Sequence, residues 1–416
     1  MNDIIKQRID TIRRGEVPEG YKRNIEGIHP SDWHAKKISR RIKLCERPIT
    51  LDDSCEYQLV TVRRGFKGVD SRGTYQGKDI LVKTYYEVHA NDFLISKRQI
   101  AHGACGVVPP ALDNAVVSNE YNVFVPQGGT NVKMFNLMMQ LPHYKRLFYL
   151  MSDGVHIEKL LFKTKDWMRR SVAMPLETEQ QKIVKILTTQ DNVIDLKEKR
   201  IAEKQRQKKY LMQQLLNGKR RLKGFSGEWI TQELGAMFSE RIEKNCGDLQ
   251  LLAITGTKGV VPRTELDLKD NSSEDKSKYL RICVGDIGYN TMRMWQGVSA
   301  YSNYEGIVSP AYTILKPKNS VDAKYFAYLF KLPEIVFFFY RFSQGLVDDT
   351  RNLKYSNFKK IRVDFPRDVN EQSAIAKVLS SADNEIALLQ KDLEQEKLKK
   401  KALMQLLLTG IVRVSA

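Results

Sequence analysis

The sequence is short of what membrane insertion, secretion and most bond-making chemistry require. No run approaches the roughly 20 apolar residues of a membrane span, and the densest, Ile335–Tyr340, is too short. The opening Met1-Asn2-Asp3-Ile4-Ile5-Lys6 lacks the basic region and apolar stretch of a secretory leader. There are only 5 cysteines, scattered at Cys45, Cys55, Cys105, Cys246 and Cys283, with no CxxC pair. Neither a zinc site nor a disulfide framework is expected, and a reducing, cytoplasmic setting fits best.

Catalytic signatures are equally scarce. The sequence has no GxxxxGK[ST] phosphate loop, no HExxH and no GxSxG. The Asn/Asp/Ser-Pro-Pro-aromatic tetrapeptide of adenine methylases is missing, since the one Pro-Pro, Pro109-Pro110, is followed by Ala111. His102 and Cys105 lie close together without an orienting pattern, and a loop or core role is the expectation. The other histidines, His29, His34, His89, His143 and His156, show no ligand spacing. The chain is expected to make no bonds itself, to bind no metal and to carry no catalytic residue.

What the sequence has is positive charge and repetition. Its 416 residues hold 68 Lys and Arg against 49 Asp and Glu, a net charge of +19. That excess points to a polyanionic partner, nucleic acid before membrane. The excess is uneven: residues 1–222 hold 40 basic against 25 acidic side chains, and residues 223–416 hold 28 against 24. The hydrophobic share of 42% is that of a globular protein, and the length allows two or three domains.

The run Glu179-Gln180-Gln181-Lys182-Ile183-Val184-Lys185-Ile186-Leu187 returns as Glu371-Gln372-Ser373-Ala374-Ile375-Ala376-Lys377-Val378-Leu379. At a constant shift of 192 the copies align to Gly218 and Gly410, with 18 identities in 40 positions. Upstream, at a shift of 191, Gly65-Phe66-Lys67-Gly68-Val69 answers Gly256-Thr257-Lys258-Gly259-Val260, Gly106-Val107 answers Gly297-Val298, and Pro175 answers Pro366. Ser31-Asp32-Trp33 resembles Gly227-Glu228-Trp229. One half is therefore a variable body followed by a well-matched segment, and the chain contains two such halves.

Apolar residues in the matched segments, Ile183, Leu187, Ile194, Ile201, Leu211 and Leu215 in the first, recur close to every 3.5 residues. This predicts two long helices over Thr178–Asn217 and Asn370–Thr409, pairing antiparallel, with Gly218 and Gly410 as left-handed caps. Glu179-Gln180 and Glu371-Gln372 read as first-turn residues favoured by the helix dipole, which need no functional account. The bodies read as mixed α and β, with strands at Tyr57–Val62, Glu120–Val125 and Ala311–Leu315 and short helices at Val132–Met139 and Ala323–Phe330. An amphipathic stretch, Ile4–Arg14, resembles the end of a repeat helix and predicts a third, partial helix closing the arrangement.

Basic and amide side chains cluster beside glycines in both bodies. Arg63, Arg64, Lys67 and Arg72 flank one glycine-rich segment, and Lys97, Arg98 and Gln99 follow a strand-like Asn91–Ile95. In the second body the candidates are Lys258, Arg263, Asn290, Arg293 and Gln296. Such side chains match base edges in a major groove, and glycine lets backbone N–H groups approach phosphates. The competing reading is solvated turns.

Two variable bodies alternate with two helices, each introduced by P-x(3–4)-E-Q-x-x-I-x-x-[IV]-L and ending in L-M-Q-x-L-L-x-G. The whole chain, from Ser31-Asp32-Trp33 to Gly410, thereby resembles the specificity (S) subunit of type I restriction–modification systems. The resemblance implies an α+β fold with two target-recognition domains in a tandem pseudo-two-fold repeat, separated by two long antiparallel coiled-coil helices. Its divisions fall at 1–30 (helix and linker), 31–174 (first recognition domain), 175–222 (central spacer), 223–365 (second recognition domain) and 366–416 (C-terminal spacer). It implies that each domain reads half of a bipartite site in double-stranded DNA. It also implies that the helices set the spacing and dock two methyltransferase (M) subunits using S-adenosylmethionine for adenine N6, with restriction (R) subunits bringing ATP and Mg. The alternatives are the subunit of a type IIB-like system, a non-enzymatic scaffold whose bodies bind protein, and a standalone methylase.

Overall fold

A computed structural model describes residues 3–24, 27–154, 156, 160–256, 258–266 and 275–414. Met1 and Asn2 of the opening and Thr257 of the glycine-rich run lie outside the described residues. The chain divides into two units, residues 1–196 with 393–416, and residues 197–392.

In the first unit, α1 (Asp3–Arg13) leads into short strands, then α2 (Val132–Met138), α3 (Pro142–Leu150), α4 (Thr164–Met168) and the start of α5 (Glu177–Leu215). A four-stranded antiparallel sheet is ordered Cys105–Val107, Phe93–Ser96, Tyr121–Pro126, Ile42–Leu44. A second, five-stranded sheet includes the hairpin of Glu56–Val62 and Val69–Gln76. The main core joins the body to the helices: Phe93, Phe124, Phe135 and Trp167 pack with Ile183 and Leu187 of α5 and with Leu407 and Leu408 near the chain's end. The predicted third helix, α1, closes onto that end. Arg8 donates to the Ile411 carbonyl at 3.0 Å, and Tyr21 Oη donates to the Gly410 carbonyl at 2.6 Å.

The second unit repeats this plan with α6 (Leu234–Met237), α7 (Ala323–Leu329), α8 (Pro333–Phe342), α9 (Tyr355–Phe358) and α10 (Val369–Leu408). Its four-stranded sheet is ordered Ser299–Tyr301, Ile287–Asn290, Tyr312–Pro317, Phe238–Arg241, the same arrangement as in the first unit. Tyr289, Phe326, Phe330 and Phe358 form its core with Leu215 of α5, the adjoining Leu216, and Ile375 and Leu379 of α10.

The long helices have 39 and 40 residues, about 60 Å each at 1.5 Å per residue. Ile183, Leu187, Ile201 and Leu215 of the periodic positions are buried, as are Ile375, Leu379, Ile386, Leu393 and Leu407 on the second helix. Pairing is antiparallel in each unit. Gln190 donates to Glu396 at 2.7 Å and Lys400 meets Asp191 at 2.5 Å in the first. Lys197 meets Asp392 at 2.5 Å and Lys204 meets Glu385 at 2.7 Å in the second. Gly218 and Gly410 stand at φ +65° and +69°, the left-handed caps expected.

One expected equivalence is corrected. Gly297 does not answer Gly106, which is the middle of a core strand. Gly297 caps the 3-10 turn Met294–Gln296 at φ 78°, and the same position after Ile100–His102 belongs to Gly103 at φ 75°. The local shift is 194, because the second body carries a short insertion upstream that a gapless comparison cannot see.

Candidate DNA interface

The loops nominated from sequence rest on a frame duplicated bond for bond. Lys97 N donates to the Glu120 carbonyl, and Thr291 N to the Ala311 carbonyl. Gln99 N donates to Ser96 O and His102 N to Gln99 O; Arg293 N donates to Asn290 O and Gln296 N to Arg293 O. At the base of each reading strand an arginine forks onto a buried aspartate. Arg47 reaches Asp92 at 2.7 and 3.2 Å, and Arg241 reaches Asp286 at 2.7 and 3.2 Å. Asp92 and Asp286 also accept from the backbone N–H three residues earlier, His89 and Cys283, at 2.8 Å each. Such charge-assisted, bidentate bonds fix where each strand begins, and the loop follows at its far end. None of these four residues stood out in the sequence. Their one shared signal is an aspartate directly before an apolar strand, Asp92-Phe93 and Asp286-Ile287.

On this common frame the side chains differ. The positions of Lys97, Arg98 and Gln99 are taken in the second body by Thr291, Met292 and Arg293. Arg293 and Gln296 are exposed. Asn290 Oδ1 accepts from Met292 N at 2.9 Å, an Asx turn that holds the loop. In the first body Arg98 pairs with Glu120 at 2.8 Å, and Lys97 Nζ donates to the Asn119 carbonyl at 2.5 Å. Gln99 is half-buried.

The hairpin turn carrying Arg63, Arg64 and Lys67 lies beside this loop. Gly65 N donates to the His102 carbonyl at 2.7 Å and Phe66 N to the Gly103 carbonyl at 2.8 Å. A Cβ on Gly103 would come within 2.6 Å of the Phe66 ring, so the close approach requires glycine there. Arg63 pairs with Asp70, and Lys67 is exposed at the tip. Arg72 is exposed on the returning strand. In the second body Lys258 is exposed on the turn between Leu252–Thr255 and Gly259–Pro262, and Arg263 begins the 3-10 turn that follows. The structure thus places Arg63, Arg64 and Lys67 beside the loop of Lys97, Arg98 and Gln99, whereas Arg72 stands on the returning strand and Arg263 at the end of the second body's hairpin remote from Lys258.

The paired Glu-Gln residues of the helix starts also make long-range structural bonds that the sequence did not show. Glu371 is buried and accepts from Arg221 at 2.5 and 2.6 Å; Glu179 accepts from Arg413 at 2.9 and 2.8 Å. Gln180 donates to the Pro175 carbonyl at 2.9 Å and accepts from Asn131 N, the N-cap of α2, at 2.9 Å. Gln372 repeats both bonds, to Pro366 at 2.9 Å and from Asp322 N, the N-cap of α7, at 2.8 Å. Each glutamine ties a recognition body to the start of its helix.

No nucleophile is assembled where His102 and Cys105 approach. Cys105 lies in a core strand, where burial pushes its thiol well above the usual range and away from the reactive thiolate. Among the described residues, no helix is long and apolar enough to cross a membrane.

Comparison with known proteins adds the decisive observation. Residues 247–398, the second body with most of α10, match the model of the type I restriction modification DNA specificity domain. Over those residues the chain is similar to the type I restriction–modification specificity family. The first half lies outside the matched residues and repeats the same loop frame and the same helix start. Solved structures share the fold. The type I restriction–modification S subunit from M. genitalium aligns at TM-score 0.55 and 13% identity, over 90% of this chain and 96% of that one. A chain from a structure of type I restriction–modification complex assembly aligns at TM-score 0.54 and 14% identity, over 92% and 99%.

Proposed function

We propose that each body reads one half of a bipartite DNA site, and that the carrying observation is the duplicated loop frame with unlike side chains. A common frame presents its loop to the duplex in the same way twice, while Lys97-Arg98-Gln99 and Thr291-Met292-Arg293 offer different donors to the base edges. Two half-sites joined at fixed separation become specific although each is short, since the second contact is made at high effective concentration. The paired helices set that separation and dock two methyltransferase subunits.

The methyltransferase subunits supply S-adenosylmethionine and adenine-N6 transfer, and restriction subunits supply ATP- and Mg-dependent cleavage. This chain's own residues bind and orient the DNA and hold the partners, in the cytoplasm. Support for the non-catalytic role comes from the missing methylase tetrapeptide and the absence of the phosphate-loop and hydrolase motifs. The purified chain should transfer no methyl groups until methyltransferase subunits and S-adenosylmethionine are added, and transfer by the chain alone would overturn that assignment.

Exchange of residues 31–174 for another family member's domain, followed by modification mapping, tests the two-reader arrangement. One half of the methylated motif should change and the other stay. A change in both halves would show that the bodies do not read independently.

A further inference from the structure

The two bodies differ in most exposed residues, so positions that stay identical and exposed mark a surface with the same task twice. The second unit has a groove of about 1020 Å³ between its body and the helix pair. Among the described residues its charged lining is Lys208, Lys209, Lys258, Lys324 and Lys331 against the single carboxylate Asp383. Lys208 pairs with Asp383 at 2.5 Å, and Lys331 donates to the Gly297 and Ser299 carbonyls at 2.7 and 2.6 Å, so both serve the fold. Lys209, Lys258 and Lys324 are exposed.

All three recur in the first unit. Lys401 answers Lys209 on the helix, Lys67 answers Lys258 on the hairpin turn, and Lys133 answers Lys324 in the first turn of the N-capped helix. Each of these is also exposed. The structural pair recurs with them, as Lys400 meets Asp191 at 2.5 Å. Lysines that only solubilised the surface would have no reason to keep station on three separate elements while the loop between them changed from Lys97-Arg98-Gln99 to Thr291-Met292-Arg293.

We propose that Lys209, Lys258 and Lys324, and likewise Lys401, Lys67 and Lys133, form a phosphate track that grips the DNA backbone irrespective of sequence. The inference rests on the DNA-reading role above and adds a division of labour to it. The groove adjoins the reading loop, for Gly256 approaches Val298, next to the loop's capping glycine Gly297. A strand passing the loop therefore meets the lysines of the turn, the helix and the capped helix start. Lysine suits this work because its ammonium is a point charge on a flexible stem that neutralises a phosphate without demanding a planar partner.

The test uses the complex with methyltransferase subunits and two labelled duplexes, one of random sequence and one bearing the mapped site. Replacing the second set (K209Q/K258Q/K324Q) should lower the slope of log affinity against log salt by about 2.7, at about 0.9 per lost phosphate contact. The loss should be equal for both duplexes, the methylated motif should be unchanged, and the arginine versions (K209R/K258R/K324R) should keep the slope. An unchanged slope would overturn the proposal, as would a changed motif, which would make these base contacts. Loss of methyltransferase subunits from the complex without DNA would also overturn it, assigning the lysines to a protein partner. The random-duplex slope does not depend on discrimination between sequences, so it separates failure of the track from failure of the reading role.

Discussion

Removing Arg221 isolates what the buried carboxylate at the start of α10 costs when it loses its counter-charge. Glu371 is 0% exposed, and both its oxygens accept from Arg221, at 2.5 and 2.6 Å. Taking away one partner of a buried pair leaves a desolvated charge and typically costs about 3–5 kcal/mol. The Arg221 side chain is 27% exposed, so water reaches one side of the pair, and the positive end of the helix dipole remains. The cost of Arg221→Ala should then fall at the lower end, about 3 kcal/mol. In units of this size 1 kcal/mol moves Tm by about 2–4 °C, so the transition of the second unit should drop by about 6–12 °C. Replacing both partners, Arg221→Met with Glu371→Leu, should recover most of the loss, because no charge is left to desolvate. Arg413→Ala should cost less: Arg413 is 35% exposed, and Glu179 also accepts from Val414 N at 3.3 Å. Thermal unfolding of the full chain, with hydrogen exchange over the first turns of α10, measures both. A wild-type Tm for Arg221→Ala, or a double variant no better than the single, would refute the argument.

Arg293→Ala should relax one position of the second half-site at about 1–3 kcal/mol and leave the first untouched, read by binding to duplexes substituted base by base; a uniform loss over all sequences would make Arg293 a phosphate contact. Burial holds the Lys331 ammonium at about 8, below its ordinary 10.5. The unfolded chain binds that proton more tightly, so stability should rise with pH from 8 to 10.5 and be lost as pH falls back through 8. Lys331→Met should remove that part of the rise in denaturant midpoints, and an unaltered pH dependence would contradict it. Seven residues inserted in each long helix, after Leu196 and after Asp392, should add about 10 Å and lengthen the unread spacer by about three base pairs at ~3.4 Å each. An unchanged spacer in modification mapping would show that the helices do not set it.

The parts legible in the sequence were those whose physics is local or periodic. The long helices declare themselves because a 3.5-residue apolar spacing must face a partner, and observed and expected ends differ by no more than two residues. The glycine caps were legible for the same reason, being fixed by backbone sterics alone. Strands of three or four residues, such as Cys105–Val107 and Ser299–Tyr301, offer too little alternation to be found. The α3 and α8 helices were missed although each opens on a proline at its first turn. The Glu-Gln pairs show a deeper limit. Read locally, a carboxylate in a first turn needs only the dipole; its actual partners, Arg221 and Arg413, lie 150 and 234 residues away in the chain. Long-range partners of buried polar groups are settled by the fold, since a buried charge must find one wherever the topology brings it.

The repeat turns this limit into a method of assignment. Two copies under one backbone frame have diverged, and each position records whether its task was shared. The Arg–Asp forks, the Glu-Gln links and the capped helix starts recur because both copies need the same scaffold. The loop side chains between Ser96 and Gly103, and between Asn290 and Gly297, do not recur, as the proposed reading of two different half-sequences requires. Identical residues that are buried therefore belong to the frame, and differing residues that are exposed belong to recognition. Identical residues that are exposed face a partner both copies share; for the groove lysines beside the reading loops, we infer that this partner is the phosphate backbone that two unlike DNA sequences have in common.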